Sequence, residues 1–171
     1  MRHADPQVPL RPAGTSKFAL VVSRFNDAIT SRLLEGARVA LREAGAKPEH
    51  VVALSVPGAF ELPQAARCAA ESGSYDAIVC LGCVIRGETP HFEYISAAVA
   101  HGLMQASGET GVPMAFGVLT TDSWEQAEAR AGDGRDNKGF EAAAAALEMA
   151  ELFGMLRAAA RSSGSERFGG R

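Results

Sequence analysis

Residues 77–85 read AIVCLGCVI, and RGETPHFEYI follows directly at residues 86–95. A continuous apolar run of this length is typical of a strand that is buried on both faces of a parallel sheet. Glycine and proline interrupt the run, and Ile95, Val99 and Leu103 then recur at helical spacing. The stretch therefore predicts a buried strand followed by a helix, which is the repeating unit of a parallel α/β sheet.

The same alternation of strand and helix continues on both sides of this stretch. Strands are predicted at residues 17–23, 51–56, 77–85 and 113–119, and helices at 26–44, 63–72, from 89 onward, from 122 onward and at 140–161. Asn26 or Asp27 is the expected N-cap of the first helix and Thr89 that of the third, while Asp122 and Glu125 have capping-box spacing. We predict a doubly wound α/β/α sandwich with a four-stranded parallel sheet.

Domain organisation follows from the same survey of the chain. A single domain over residues 17–161 accounts for all the predicted elements, because neither a linker nor an internal repeat divides them. Residues 1–16 contain Pro6, Pro9 and Pro12, and we expect an extended N-terminal arm there. Residues 162–171 are expected to form a flexible C-terminal tail.

Composition excludes several classes of function. The 171 residues are 47% hydrophobic and 22% charged, as in an ordinary globular protein. Their net charge of −3 gives no excess of positive charge for binding nucleic acid. The first residues lack the apolar stretch of a signal peptide, and no apolar run is long enough to span a membrane. We therefore expect a cytoplasmic protein with no nucleic-acid or membrane partner.

Three cysteines do not form a disulfide framework, although Cys80 and Cys83 have CxxC spacing. Both lie inside a predicted strand, where a three-residue offset sends the two side chains to opposite faces of the sheet. A zinc site would also need two more ligands. We interpret both cysteines as small core residues.

The last predicted helix has apolar residues on more than one side. Phe140, Ala144 and Leu147 mark one side, and a second is marked by Ala146, Met149, Phe153 and Leu156. This pattern favours burial of a second face against another subunit, although high intrinsic helix propensity of an alanine-rich segment is the simpler interpretation.

Ligands of open α/β sheets bind beyond the carboxyl ends of the strands. Four segments lie there and are rich in polar or aromatic groups, namely residues 24–26, 57–61, 86–91 and 120–122. The chain contains no Walker loop, no GxGxxG after a strand, no HExxH and no GxSxG. Nucleotide triphosphate and dinucleotide chemistry are thus disfavoured.

The segment after the third strand carries the strongest chemical signal. Thr89 and Pro90 precede a helix whose free N–H groups form a ready anion site. His91 lies in the first turn, where the helix dipole disfavours a protonated imidazole and a bound phosphate would favour it. It is therefore a candidate proton shuttle. The spacing alone is equally consistent with an exposed histidine at a helix end.

Four further side chains have both a functional and a structural interpretation. Phe25 would stack on a planar ring or belong to the core, and Glu61 would bind a polar ligand or favour a helix start. Arg130 and Lys138 flank a glycine-rich loop, where they would bind an anion or remain solvated. These residues indicate a site for a phosphorylated small molecule but no particular reaction.

The chain resembles the lumazine synthase family from about residue 18 to residue 153. The matching stretches are SRFNDAIT, VPGAFELP, GCVIRGETPHFEYI, FGVLTTDSWEQAEARAG and NKGFEAAAAALEMA, in family order and spacing. The resemblance implies a flavodoxin-like fold and a condensation of 5-amino-6-ribitylaminouracil with 3,4-dihydroxy-2-butanone 4-phosphate, without metal or organic cofactor. It also implies a homopentamer, either free or built into an icosahedral cage, and riboflavin synthase as a partner.

Residue roles are implied by the same resemblance. Phe25 and Asn26 would form the pyrimidine pocket with the main chain of Val84 and Ile85, and the ribityl chain would lie against Ala59, Phe60 and Glu61. Glu88 and Thr89 would bind phosphate through the helix start, and His91 would shuttle protons. A neighbouring subunit would add Phe116, Arg130 and Lys138, with Arg130 paired to the phosphate.

The loop at residues 132–136 departs from the family pattern, and Arg135 is a candidate substitute for a lysine found there. Two other functions remain open at this stage. One is a non-catalytic flavin- or lumazine-binding or scaffold protein on the same fold, and the other is a flavodoxin-like electron carrier.

Overall fold

A computed structural model describes residues 9–165 and has a four-stranded sheet at its centre. The strands are β1 (Phe18–Ser23), β2 (Val51–Val56), β3 (Ala77–Ile85) and β4 (Met114–Thr121). They lie in the order β2-β1-β3-β4, and every neighbouring pair is parallel. The predicted four-stranded parallel sheet is confirmed, although β4 runs two residues beyond the predicted end.

Helices cover both faces of this sheet. They are α1 (Asp27–Glu43), α2 (Leu62–Glu71), α3 (His91–Thr110), α4 (Trp124–Arg130) and α5 (Lys138–Ser165), with short 3₁₀ turns at Pro48–His50 and Ala59–Glu61. One apolar core joins the sheet to α1, α4 and α5, and a second joins the opposite face to α2 and α3. This arrangement confirms the predicted α/β/α sandwich.

The two central strands, β1 and β3, are buried on both faces, as their continuous apolar sequences predict. Cys80 and Cys83 are 0% and 1% exposed and belong to opposite cores. Burial raises the pKa of the Cys80 thiol to about 12 and that of Cys83 to about 11. Both are therefore neutral core side chains, in agreement with the sequence interpretation.

Two predicted helix caps are wrong by one residue. Pro90, not Thr89, occupies the N-cap position of α3, and no side chain caps that helix. Ser123 caps α4 by accepting a hydrogen bond from the Gln126 N–H, so the Asp122–Glu125 assignment is also wrong. The Asp122 prediction failed because the adjacent Ser123 offers equally suitable cap chemistry, whereas α3 begins after a proline that has no side-chain acceptor.

Segments next to the predicted domain boundaries also carry structure. In the predicted arm, Ala13 is buried and its N–H donates to the carbonyl oxygen of Ala44 at the end of α1. Residues 1–8 of the arm and 166–171 of the tail lie outside the described residues. The last helix extends to Ser165, four residues into the segment predicted to be a flexible tail.

The last helix packs one face on the core and exposes another. Its buried face includes Ala146, which the sequence interpretation assigned to the second face. The exposed apolar residues are Met149, Leu152, Met155 and Leu156. Within the range that the structure describes, no helix combines the length and apolarity needed to span a membrane.

Candidate active site

A cleft of about 360 Å³ lies beyond the carboxyl ends of the strands, where an open α/β sheet binds its ligands. Its walls come from the ends of β1, β2 and β3 and from the first turns of α3. The lining residues are Phe25, Gly58, Ala59, Phe60, Cys83, Val84, Ile85, Gly87, Thr89, His91, Phe92 and Ile95. Seven of the residues predicted from the sequence therefore line a single cleft.

Asn26 fixes the floor of this cleft rather than lining it. Its side-chain amide donates to the carbonyl oxygen of Cys83 at 3.0 Å, and this bond ties the end of β1 to the end of β3. The backbone of Asn26 is left-handed, with φ 58°, a conformation that asparagine tolerates better than most residues. The predicted N-cap bond to α1 is not made, because the amide is engaged across the sheet.

Two exposed phenylalanines line the cleft. Phe25 and Phe60 are 68% and 60% exposed, so neither ring is a core residue, and the structural interpretation of Phe25 is wrong. Glu61 follows Phe60 in the chain, is not among the lining residues, and accepts a hydrogen bond from the Gly58 N–H at 2.9 Å. That bond holds the loop between β2 and α2 in its turn and leaves two aromatic faces available to a planar ligand.

The start of α3 forms the polar end of the cleft. His91 is the first residue of the helix and is exposed, with Thr89 two residues before it. The Glu93 N–H donates to the carbonyl oxygen of Pro90, but the N–H groups of His91 and Phe92 lie too early for an acceptor four residues back in the helix, so they favour an anion at this end. Glu88 is exposed in the preceding loop and is not among the lining residues.

Arg86 links the start of α3 to the loop after β4. Its guanidinium donates to Asp122 at 2.7 Å and to the Glu93 carboxylate, and it lies 4.2 Å from the centre of the Phe92 ring. Hydrogen bonds to Asp122 and then to Glu93 raise the pKa of Arg86, and the bond from Arg86 lowers the pKa of Glu93. These contacts hold the helical turn that carries His91 beside the loop after β4.

Three predicted site residues do not reach the cleft of their own chain. Phe116 is 40% exposed on β4, an edge strand of the sheet. Arg130 is the last residue of α4, where it is exposed and donates to the carbonyl oxygen of Gln126 at 2.9 Å. Lys138 begins α5 and pairs with Glu141 at 2.5 Å. Within a single chain, Arg130 is therefore not among the residues that line the cleft with His91.

Sequence reasoning missed several residues that organise this region. Asn137 caps α5 and Glu141 neutralises Lys138, and the Ile95 and Phe92 side chains line the cleft. Asn137 lies just before a helix start, a signal that was available, but the predicted helix begins at residue 140, which leaves Asn137 in the glycine-rich loop. Arg135 is paired with Glu43 at 3.0 Å, so its charge is already partly neutralised within the chain.

The geometry describes a site with a specific chemical character. Exposed aromatic rings and the apolar ends of β3 suit a flat heterocycle, the helix start suits an anion, and His91 suits proton transfer. Within residues 9–165, no group of three or more His, Cys, Asp or Glu side chains is arranged to hold a metal ion.

Comparison with known proteins agrees with this description. Residues 15–154 match the family model described as 6,7-dimethyl-8-ribityllumazine synthase. A protein of that name from Syntrophus aciditrophicus (strain SB) is 57% identical over 136 residues, which is 80% of this chain and 88% of the relative. Another of the same name, from Chlorobium luteolum (strain DSM 273 / BCRC 81028 / 2530), is 52% identical over 141 residues, covering 82% of this chain and 91% of the relative.

Proposed function

Since the chain belongs to the 6,7-dimethyl-8-ribityllumazine synthase family, we propose that its cleft condenses 5-amino-6-ribitylaminouracil with 3,4-dihydroxy-2-butanone 4-phosphate. The products are 6,7-dimethyl-8-ribityllumazine, inorganic phosphate and water, in the penultimate step of riboflavin biosynthesis. The observation that carries the proposal is that seven predicted residues line one cleft. One end of this cleft is aromatic, and the other end favours an anion. The non-catalytic alternative is not favoured, because both relatives carry the name of a synthase.

The aromatic end is assigned to the pyrimidine substrate. Phe25 stacks on the ring, Val84 and Ile85 contact its edge through the main chain, and Asn26 keeps the strand ends in register beneath it. Support comes from the exposure of the Phe25 ring and from the bond between Asn26 and Cys83.

The ribityl chain is assigned to the loop after β2. Ala59, Phe60 and Glu61 hold this chain, and the Glu61 carboxylate accepts from its hydroxyls. The bond from the Gly58 N–H to Glu61 supports this role, because it orients the carboxylate before substrate arrives.

The anion-favouring end is assigned to the phosphate. The N–H groups around Glu88, Thr89 and the first turn of α3 bind the phosphate oxygens, while the Glu88 side chain points away to avoid repulsion between like charges. His91 transfers protons between the attacking amine, the carbonyl oxygen and the leaving groups. Its position at the first residue of α3, in the lining of the cleft, supports this role.

Positioning and proton transfer are sufficient for this chemistry. The amino group of the pyrimidine attacks the ketone and loses water to form an imine, and elimination then releases inorganic phosphate. That elimination leaves an enol on the neighbouring carbon, which tautomerises to a ketone, and the ribitylamino nitrogen closes the ring on this new carbonyl with loss of a second water. No electrons are exchanged with a cofactor, so holding the two substrates in the reactive geometry is the main contribution of the protein.

A second copy of the chain completes the site in this proposal. Its Phe116 packs over the pyrimidine, its Arg130 pairs with the phosphate, and its Lys138 lies nearby. Supporting this arrangement, Phe116 and Arg130 are exposed and absent from the lining of their own cleft. We propose a homopentamer as the functional unit, either free or assembled into an icosahedral cage.

Partners and location are proposed on similar grounds. The family resemblance is what supports riboflavin synthase as a partner. We place the protein in the cytoplasm because a phosphorylated substrate carries charge that does not cross a membrane unaided.

A direct assay tests the function. Purified protein is mixed with both substrates, and the fluorescence of the lumazine product is followed against the uncatalysed reaction. We expect turnover well above that background in the absence of added metal or cofactor. A rate equal to the background with a correctly folded protein would remove the synthase assignment.

A further inference from the structure

Asn137 is only 3% exposed, between α1 and the start of α5. Its side-chain carbonyl accepts from the N–H groups of Gly139 at 2.8 Å and Phe140 at 3.3 Å. Its side-chain amide donates to the carbonyl oxygens of Arg32 at 3.1 Å and Gly132 at 2.8 Å. These four bonds connect α1, α5 and the loop after α4 through one buried side chain.

Two glycines make room for this arrangement. A methyl group on Gly36 of α1 would overlap the side-chain carbonyl of Asn137, and one on Gly139 would overlap the Leu33 backbone. The two helices therefore approach each other closely on either side of residue 138. Backbone contact at this distance fixes the start of α5 more firmly than side-chain packing alone.

We assign Arg130 and Lys138 to the cleft of a neighbouring chain, and these two residues precede and follow the loop that Asn137 tethers. Lys138 is held between Asn137 and Gly139, and Arg130 ends α4 two residues before Gly132, whose carbonyl oxygen Asn137 binds. The intervening loop is also fixed by Arg135, which pairs with Glu43 of α1. Displacement of residue 137 would therefore change the separation between Arg130 and Lys138.

We propose that Asn137 is a positioning residue that sets Arg130 and Lys138 in the arrangement in which they receive the phosphate of the second substrate. This inference rests on the proposed function, because the anion and the neighbouring cleft come from there. Asn137 does not contact substrate. It acts through the loop on which Arg130 depends.

The side-chain oxygen and the side-chain nitrogen of Asn137 make different contacts, which substitution can separate. The carbonyl caps α5, which is a contribution to stability, whereas the amide nitrogen tethers the loop. Serine is also a good N-cap acceptor, but its single hydroxyl does not reproduce both donations. Asn137→Ser therefore retains the cap and releases the loop.

Steady-state kinetics of Asn137→Ser test the inference. We expect the KM for the butanone phosphate to rise about tenfold while the KM for the ribitylaminouracil stays within about twofold of the parent, because only the phosphate end is displaced. Gly36→Ala should produce the same selective change, because the added methyl group on α1 would push the Asn137 side chain out of its position. Leu41→Val, a core substitution in the last turns of α1, is the destabilised control and should raise neither KM selectively.

Hydrogen exchange supplies a readout that is independent of activity. In Asn137→Ser, the amides of Gly139 and Phe140 should remain protected while those of residues 132–136 exchange faster. Unchanged kinetics in both Asn137→Ser and Gly36→Ala, or an equal rise of both KM values, would overturn the positioning role. Full activity of Arg130→Ala would instead remove the proposed phosphate site, and so the two failures are distinguishable.

Discussion

Asn26 and Phe25 illustrate how single residues acquire function from the fold. Asn26 has a left-handed backbone, and its side chain crosses from β1 to β3, so neighbouring Phe25 is turned outward into the cleft. The sequence offered Asn26 as a helix cap and left the role of Phe25 open. The bond to Cys83 joins residues 57 positions apart, a contact that local spacing does not encode.

The residues proposed for the phosphate end of the cleft predict that their alanine variants lose activity to different extents. Arg130→Ala should lower kcat/KM by about 100-fold, because removing the counter-charge leaves the phosphate paired only with helix N–H groups. His91→Ala should weaken turnover less, since water can replace part of its proton transfer. Steady-state assays of both variants measure this order. Equal activity of Arg130→Ala and the parent would contradict it.

The buried thiols predict a pH dependence of stability. Burial raises the pKa of Cys80 to about 12 and that of Cys83 to about 11, from an ordinary value of 9.0. The folded state therefore holds both protons to higher pH than the unfolded chain does. Their contribution to stability is fully present below about pH 9 and is lost as the pH rises through the folded-state values.

A Cys68→Ser variant makes this measurable, because Cys68 is the exposed cysteine. At pH 8, neither remaining thiol should react with a thiol reagent in the folded state, and both should react after denaturation. Urea unfolding between pH 7 and pH 10.5 should show stability declining above pH 9, and less so when Cys80 and Cys83 are replaced by alanine. Rapid labelling of the folded variant at pH 8 would show that the thiols are accessible.

At the scale of the element, periodicity predicted the helices and strands well but placed their ends less accurately. The continuous apolar runs of β1 and β3 and the helical spacing of α1 and α3 each require one particular burial pattern, and the structure has it. Ends depend on which of several adjacent polar residues caps the helix. Asp122 and Ser123 offered such alternatives, and a tertiary contact distinguishes them, because Arg86 engages Asp122 while Ser123 caps the helix.

The cap of α4 gives a prediction at this scale. Ser123→Ala should lower the free energy of unfolding by about 1 kcal/mol, because the Gln126 N–H loses its acceptor at the start of the helix that carries Arg130. Ser123→Asp should restore most of this loss, since aspartate is also a strong N-cap residue. Urea denaturation followed by far-UV circular dichroism measures both. No difference between Ser123→Ala and the parent would mean that another residue caps α4.

For the whole molecule, the sequence predicted the layers of the fold and part of one site, but not how the site is completed. The residues that line the cleft follow strands that a parallel sheet brings to one edge, so their convergence was predictable. In the proposed site, the position of Arg130 relative to His91 depends on contact between chains. Intrachain patterning does not specify such a contact, and only the family resemblance suggested it.

Exposed apolar residues on α3 and α5 indicate where copies of the chain would meet. Tyr94 and Met104 of α3 are 72% and 76% exposed, and Leu156 of α5 is 58% exposed. We predict that the parent protein sediments as a pentamer or a larger assembly at micromolar concentration. Met104→Glu should shift the distribution toward monomer, because a carboxylate would be buried without a partner. A monomeric parent protein in sedimentation velocity would contradict the proposed assembly.

Mixing two impaired variants tests the shared site most directly. One chain carries Phe25→Ala and His91→Ala, which disable its cleft, and the other carries Arg130→Ala, which removes what it offers to a neighbour. In the proposed ring, each site takes its cleft from one chain and its arginine from the next. When equal amounts of the two variants assemble at random, about a quarter of the sites combine an intact cleft with an intact Arg130. Recovery of about a quarter of the parent activity is the predicted result. Activity of the co-assembled mixture that stays at the average of the two separate variants would contradict a site built between chains.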